Sequence, residues 1–456
     1  MERDICPDSD GEGMRADRRE RRTLDRWAVV ALSLLLMAAC TTAPKPAMKV
    51  LQRPQQPYEY PWIDPYTATV VGTPPVLKAD LPKKINIDEL EFKVFPDRPI
   101  PEVFWYDSAL RFSLVSQRSK APLIFIIAGT GAPHDSRLMK VMQRAFFDAG
   151  FHVISLPSPT HPNFIVNAST TSVPGRIGED AKDLYRAMRL AYAEVEDRIE
   201  VSDFYLTGYS LGGWHAAFVA RLDETEGAFG FGKVLMINPP VSLYNSIRIL
   251  DHMLDDTLPE GTGQYNAFID DVFEAFSLVY PQSAAVDFNE LVYQAYIKFV
   301  PTETTLQSLI GLDFRFSSNN MAFAADVMAD FGYIVPRGTK LDSLSSLTDY
   351  FDHGMTLSFE SYFDRFLYPY YKARDPDLTR EALIDEASLH GIQDYLAGAD
   401  KIGLLTNEDD IILAPGEIDY LRTLFGSRAR LFPTGGHCGN LDDRHVVHAM
   451  VSFFKQ

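Results

Sequence analysis

Phe204-Tyr205-Leu206-Thr207-Gly208-Tyr209-Ser210-Leu211-Gly212 is the stretch whose reading decides the fold. An apolar run reads as a strand, and Leu211-Gly212-Gly213-Trp214-His215-Ala216-Ala217-Phe218-Val219-Ala220 reads as a helix directly behind it. Between them the chain must reverse within a few residues. A serine in so sharp a turn has its hydroxyl pushed clear of the sheet. Glycine is required on both sides because a side chain there would collide with neighbouring backbone. The helix start also aims unpaired N–H groups at the turn, that of Leu211 among them, and such groups stabilise negative charge developing on oxygen. Ser210 is thus placed as a nucleophile.

Working outward, strand and helix signals alternate. Phe112–Val115 and Leu123–Ile127 read as strands, the second apolar throughout, as in a sheet covered on both faces. A helix is expected over about 136–149, a strand at His152–Leu156, a long amphipathic helix over about 177–198 and a strand at Val234–Ile237. This is a three-layer α/β pattern with a mostly parallel central sheet flanked by helices. The alternation stops at Pro239-Pro240 and resumes near Ile402-Gly403-Leu404-Leu405. Residues 241–400 read mainly as helices and hold 25 aromatics in 160 positions, above the 12% of the whole chain. They are expected to form a large helical cap inserted after the sixth core strand, most of whose rings serve its own core while others line an apolar acyl-binding space.

From about residue 90 to the end the chain resembles the α/β-hydrolase superfamily, with the cap as an insertion. The resemblance implies a nucleophile, an acid and a histidine in that chain order. Ser210 matches the nucleophile. The run Leu404-Leu405-Thr406-Asn407-Glu408-Asp409-Asp410-Ile411 carries a strand into an acidic loop; aligning Asn407 with the glycine of the family's Gly-x-x-Asp selects Asp410, with Asp409 as the alternative acid. Asn at the glycine position is read as tolerable because Asn accepts left-handed backbone. His437, in Pro433-Thr434-Gly435-Gly436-His437-Cys438-Gly439, matches the base; His445 and His448 fall on the last helix. Ala128-Gly129-Thr130-Gly131 stands where many relatives carry His-Gly-x-Gly, so the implied oxyanion donors are the backbone N–H groups of Thr130 and Leu211. His134 and Asp135 are near enough to be candidates for the pocket wall. Cys438 reads as a small packing residue.

The first forty residues read as a processing signal. Arg18-Arg19-Glu20-Arg21-Arg22 and Arg26 precede the apolar run Trp27–Ala39, too short to span a bilayer comfortably. Leu36-Met37-Ala38-Ala39-Cys40 looks like a bacterial lipobox, which implies lipidation of Cys40 and, with Thr41 next, sorting to the outer membrane of the cell envelope. Residues 1–13 carry five acids against one Arg, whereas Met14–Ala39 carry six Arg against three acids, so the start is expected at Met14. The organisation expected is signal peptide 1–39, lipidated Cys40 and Pro-rich tether 40–80, core 81–240, cap 241–400 and core 401–456; the aromatic cluster Tyr58, Tyr60, Trp62 and Tyr66 suggests that the later part of the tether packs on the domain. Of three cysteines only Cys438 lies beyond Cys40, so no disulfide framework is expected.

A net charge of −19 argues against nucleic-acid binding, which needs clustered Lys and Arg. The chain shows no Cys/His zinc pattern and no Walker-type loop, and the chemistry implied needs neither metal nor cofactor. The expected activity is hydrolysis of carboxylic esters of lipid or small hydrophobic acyl groups through an acyl-enzyme. A peptidase or amidase on the same fold, and an inactive tethered binding lipoprotein, remain open alternatives.

Overall fold

The structure is a computed structural model that describes residues 57–259, 261–277 and 288–456. The signal peptide, the start at Met14, Cys40 and the first part of the tether lie outside the described residues.

Helix α1 (Pro65–Val71) precedes an eight-stranded sheet: β1 (Asp88–Phe92), β2 (Leu110–Val115), β3 (Ala121–Ile127), β4 (His152–Leu156), β5 (Val201–Tyr209), β6 (Lys233–Ile237), β7 (Ile402–Asn407) and β8 (Ala429–Phe432). The spatial order is β1-β2-β4-β3-β5-β6-β7-β8. Strand β2 runs antiparallel to both of its neighbours, and all the other pairs are parallel. That order and polarity are those of the α/β-hydrolase fold. Strand β1 has no counterpart in the sequence reading, since Asp88-Glu89-Leu90-Glu91-Phe92 is an acidic edge strand with only alternate apolar residues.

Strand β3 is the spine of the sheet. All five side chains of Leu123–Ile127 are fully buried, each contributing about 1.5–3 kcal/mol. Alternation sends them to two different layers. Leu123, Phe125 and Ile127 pack with helices α2 and α3 on one side, where α2 is Ile177–Ala193 and α3 is Leu211–Glu226. Ile124 and Ile126 pack on the other with the helices Arg137–Asp148 and Arg444–Lys455. Parallel register brings Ile127, Gly208 and Met236 level and pairs Tyr209 with Ile237, then Leu405 beside Ile237 and Phe432 beside Asn407. The loops leaving β3, β5, β6, β7 and β8 therefore open at one edge, the usual site in such sheets.

Between β6 and β7 the described chain is helical, including α4 (Leu243–Asp255), α5 (Thr262–Ser277), α6 (Phe288–Phe299) and α7 (Glu303–Ala329). Its core gathers Phe359, Tyr362, Phe363, Phe366 and Tyr371, as expected for rings that serve the insertion itself. The Phe276 and Tyr280 side chains lie outside the described residues. Buried Arg315 of α7 donates to Asp255 of α4 at 2.8 Å and to the Met355 carbonyl at 3.1 Å. Asp251 of α4 accepts from the Phe359 and Glu360 amides, and burial pushes its carboxyl up to about 6. The insertion also grips the acidic loop, through Ser246 Oγ to the Ile412 carbonyl at 2.7 Å and Asn245 to Glu417 at 3.0 Å.

Residues 57–79, the later part of the expected tether, pack on the folded unit. Trp62 packs edge-on against Tyr296 at 5.1 Å, and Tyr58 packs on Phe432 at 4.8 Å. The aromatic residues interleaved with the prolines anchor it to the domain, as their clustering in the sequence suggests.

The close packing of α3 on the sheet yields a test. A Cβ on Gly212 would run into the Ile127 carbonyl, and one on Gly208 into the Gly212 backbone. Neither neighbour is a side chain able to swing away. Gly212→Ala is expected to cost about 3 kcal/mol or more in urea denaturation; a cost under about 1 kcal/mol would mean the turn can relax.

Candidate active site

Ser210 occupies φ +54°, ψ −127°, a backbone region that a non-glycine residue holds only when its surroundings enforce it. Enforcement comes from both flanks. The Ser210 N–H donates to the Ile237 carbonyl at 2.8 Å, and α3 begins at Leu211 with its glycines pressed against β3 and β6. The Ser210 hydroxyl is thereby left standing off the sheet edge.

His437 meets it there. Nε2 lies 2.9 Å from Ser210 Oγ, and Nδ1 lies 2.9 Å from Asp410 Oδ1. The structure thus brings together residues 210, 410 and 437 in a single hydrogen-bonded line. Asp410 is buried and its carboxylate is otherwise saturated, accepting from Asn238 Nδ2 at 2.8 Å and from the Ile412 N–H at 3.2 Å. Burial works against a charged His437, yet the Asp410 charge, Cys438 and the hydrogen bonds to both together outweigh it and hold the imidazole well above its ordinary value.

The alternative acid, Asp409, points the other way. Its carboxylate accepts from the backbone N–H groups of Gly435 at 3.1 Å and Gly436 at 2.9 Å, and burial pushes its carboxyl up to about 6. Asp409 clamps the loop that carries His437 while Asp410 faces the ring. Consecutive side chains diverge here, so two adjacent acids take two tasks.

Asn407 also needs correction. Its backbone is extended, at the end of β7, and has no left-handed conformation to accommodate. Its side chain is what the site uses: Nδ2 donates to the Gly436 carbonyl at 2.7 Å and to Asn440 Oδ1 at 3.0 Å, and Asn440 returns a bond at 2.7 Å. Both residues are fully buried. The N-terminal segment closes the other side of this loop. Thr69 Oγ1 accepts from the His437 N–H at 2.9 Å, and the Tyr58 and Tyr60 hydroxyls donate to the Thr434 and Gly439 carbonyls. Gly436, at φ +56°, lies so close to α1 that a Cβ would strike the Pro65 carbonyl.

Thr130 lines the same cavity as Ser210 and His437. Leu211, in the first turn of α3, has an N–H with no acceptor inside the helix and no side-chain cap. The neighbouring Gly131 N–H donates to Thr160 Oγ1 at 2.8 Å, which fixes the Thr130 loop. His134 and Asp135 do not reach the cavity: His134 pairs with Glu89 at 2.6 Å and Asp135 with Lys140 at 3.2 Å. Cys438, at φ +60°, is buried with Sγ 3.9 Å from His437 Nε2.

Sequence reasoning missed Asn238, Asn440, Thr69 and Thr160. Asn238 carried a faint signal, a polar residue directly after a buried strand, level with Ser210. The others act across more than 25 residues of chain, and no local pattern marks them.

The two readings of Asn407 are separable. If backbone freedom selected Asn, Asn407→Gly would be neutral or better. With three buried side-chain hydrogen bonds lost, it should instead destabilise by about 2–4 kcal/mol in urea denaturation.

No family model and no curated relative matches the chain. Among solved structures it is similar to Est1E from Butyrivibrio proteoclasticus, at 12% identity over 76% of this chain and 93% of that one, with a TM-score of 0.32. It is also similar to esterase B from Lactobacillus rhamnosis, at 12% identity over 83% and 86%, TM-score 0.37. A highly thermostable carboxyl esterase from Bacillus coagulans matches at 14% identity over 82% and 99%, TM-score 0.38. The fold assignment stands on strand order and register rather than on these overlaps: this is a chain of α/β-hydrolase fold.

Proposed function

We propose that the protein is a serine hydrolase of carboxylic esters with lipid or small hydrophobic acyl groups. The Ser210–His437–Asp410 line, with both bonds at 2.9 Å, carries the reading. It opens onto a cavity of about 910 Å³ walled on the far side by α5, α6 and α7, so that the insertion serves as a cap. Phe268, Tyr296, Phe299 and Phe314 supply rings to that wall, which suits an acyl chain.

A hydroxyl is a weak nucleophile at neutral pH. In the proposed reaction His437 Nε2 takes the Ser210 proton as Oγ attacks the acyl carbonyl. Asp410 holds the Nδ1–H tautomer and stabilises the imidazolium. The Thr130 and Leu211 amides donate to the oxyanion. The intermediate collapses by expelling the alkoxide, to which His437 returns the proton. Water, deprotonated by His437, then attacks the acyl-enzyme, and collapse releases the acid and Ser210. Clamping of the His437 loop by Asp409, Asn407 and Thr69 supports this reading, since the imidazole must keep its place through both half-reactions.

The lipobox-like Leu36–Cys40 sequence further suggests a lipid-anchored protein of the bacterial envelope, at the outer membrane. Expressed in a diderm bacterium, it should fractionate with membranes and incorporate labelled palmitate, both lost in Cys40→Ala. An unlabelled wild type would sink the anchor without touching the hydrolase reading.

A fluorophosphonate probe should label wild type but not Ser210→Ala, and short-chain nitrophenyl esters should be hydrolysed faster than matched aminoacyl amides. Preference for the amides would favour a peptidase; a folded protein inert to both would be a binding protein. Because His437 must be neutral to act as base and Asp410 raises its basicity, kcat/KM should rise with pH through a midpoint above the ordinary imidazole value. Asp410→Asn should lower kcat by about 10³–10⁴-fold and move that midpoint down, whereas Asp409→Asn should leave the midpoint in place.

A further inference from the structure

The apolar cavity holds one charge that the ester reading does not use. The stripe of α7 facing Ser210 runs Thr305, Leu306, Leu309, Ile310, Asp313, Phe314, Ser317, at helical spacing and apolar save for its ends and Asp313. Asp313 is exposed, although protein packs closely around it. The two facts agree if that surface opens into the cavity it lines. It has no hydrogen-bond or ion-pair partner among the described residues, and burial alone, with no cation to offset it, pushes its carboxyl up.

A carboxylate partly desolvated without a partner is disfavoured, and a structural role normally leaves its partner in view. Here none of the described residues lining the cavity is Lys or Arg. Asp271 of α5 adds a second carboxylate to the wall, and Tyr296, Phe299 and Phe314 present rings to the same space. Carboxylate and aromatic faces together are the chemistry that binds an alkylammonium group, by charge and by attraction to the ring quadrupole.

Position fits a substrate group near the scissile bond. Ser317, one helical turn beyond Asp313 and about 6 Å along the axis, packs against Gly131, where a Cβ would lie 2.6 Å from its Oγ. Gly131 follows Thr130, so Asp313 stands about one turn of helix from the loop proposed to hold the oxyanion.

We propose that the site selects acyl esters carrying an alkylammonium group, with Asp313 as the counter-ion. The proposal rests on the ester-hydrolase reading. It predicts that wild type hydrolyses butyrylthiocholine with a kcat/KM at least about tenfold above that for the uncharged carbon isostere, 3,3-dimethylbutyl thiobutyrate. In Asp313→Asn that ratio should fall to about one, and Asp313→Glu should retain a preference. Equal rates in wild type, or a preference that survives in Asp313→Asn, would overturn the assignment. Calorimetric titration with benzyltrimethylammonium reads the same contact without turnover. Wild type should bind it about tenfold more tightly than Asp313→Asn, and absence of binding to wild type counts against the proposal. Hydrolysis of the neutral ester at equal or greater rate would remove only the cation preference. Loss of fluorophosphonate labelling together with inertness to both esters would remove the hydrolase reading itself.

Discussion

The constraint on which the rest depends is the backbone of Ser210. Its φ of +54° costs of order 1–3 kcal/mol and has no local source of stabilisation. What maintains it is closure from three directions. Strand β6 accepts the Ser210 N–H, β3 offers the Ile127 carbonyl as the surface against which Gly212 rests, and Gly213 packs on the Ile237 backbone. None of these neighbours is a side chain. The turn is held by main chain alone, so the sheet must be fully assembled before the serine can stand in its place, and the doubly buried β3 supplies the energy.

The histidine is held by different means. Its loop is rich in left-handed backbone, at Gly435, Gly436 and Cys438, and such a loop has little rigidity of its own. Rigidity comes from outside: two acceptor bonds from Asp409, the Asn407–Asn440 amide pair below, and Thr69 with Tyr58 and Tyr60 above. The serine is thus fixed by sterics and the histidine by hydrogen bonds. The two supports share no residue, and the 2.9 Å contact between Oγ and Nε2 is where they meet.

This difference explains what was legible in the sequence. Steric requirements leave local traces, because glycines must stand beside the turn they permit, and Gly208-Tyr209-Ser210-Leu211-Gly212 could be read as it stood. Strands buried on both faces announce themselves as apolar runs, which made β3, β4, β6 and β7 readable. Acidic β1 carried no such run. Hydrogen-bond supports leave no trace either, since any polar residue at the right place in space will serve. Asn407 shows the hazard: its position in an aligned motif suggested a backbone reason, whereas its amide is bonded to a residue 33 positions away. Adjacent Asp409 and Asp410 were separated in the sequence only by alignment to the family's Gly-x-x-Asp, which selected Asp410; the end of β7 sets which one faces the ring.

The N-terminal segment was legible only in part for a related reason, and the consequence reaches the chemistry. Prolines between residues 54 and 75 suggested a tether, and the aromatic residues among them suggested that its later part packs on the domain, but nothing marked a role at the site. In the fold, Thr69 accepts the His437 N–H, Gly436 and Gly439 are glycine because α1 lies against them, and Thr69, Val70 and Val71 line the cavity. The loop bearing the base is therefore shaped by a helix some 370 residues earlier in the chain. Tyr58 and Trp62 then tie that segment to Phe432 of the sheet and Tyr296 of the insertion. Sheet, insertion and N-terminal segment each contribute a wall to one cavity, so none can shift without moving a residue that touches the site. In the proposed enzyme, the segment leading toward the membrane anchor would be part of the active site rather than a strap attached to it.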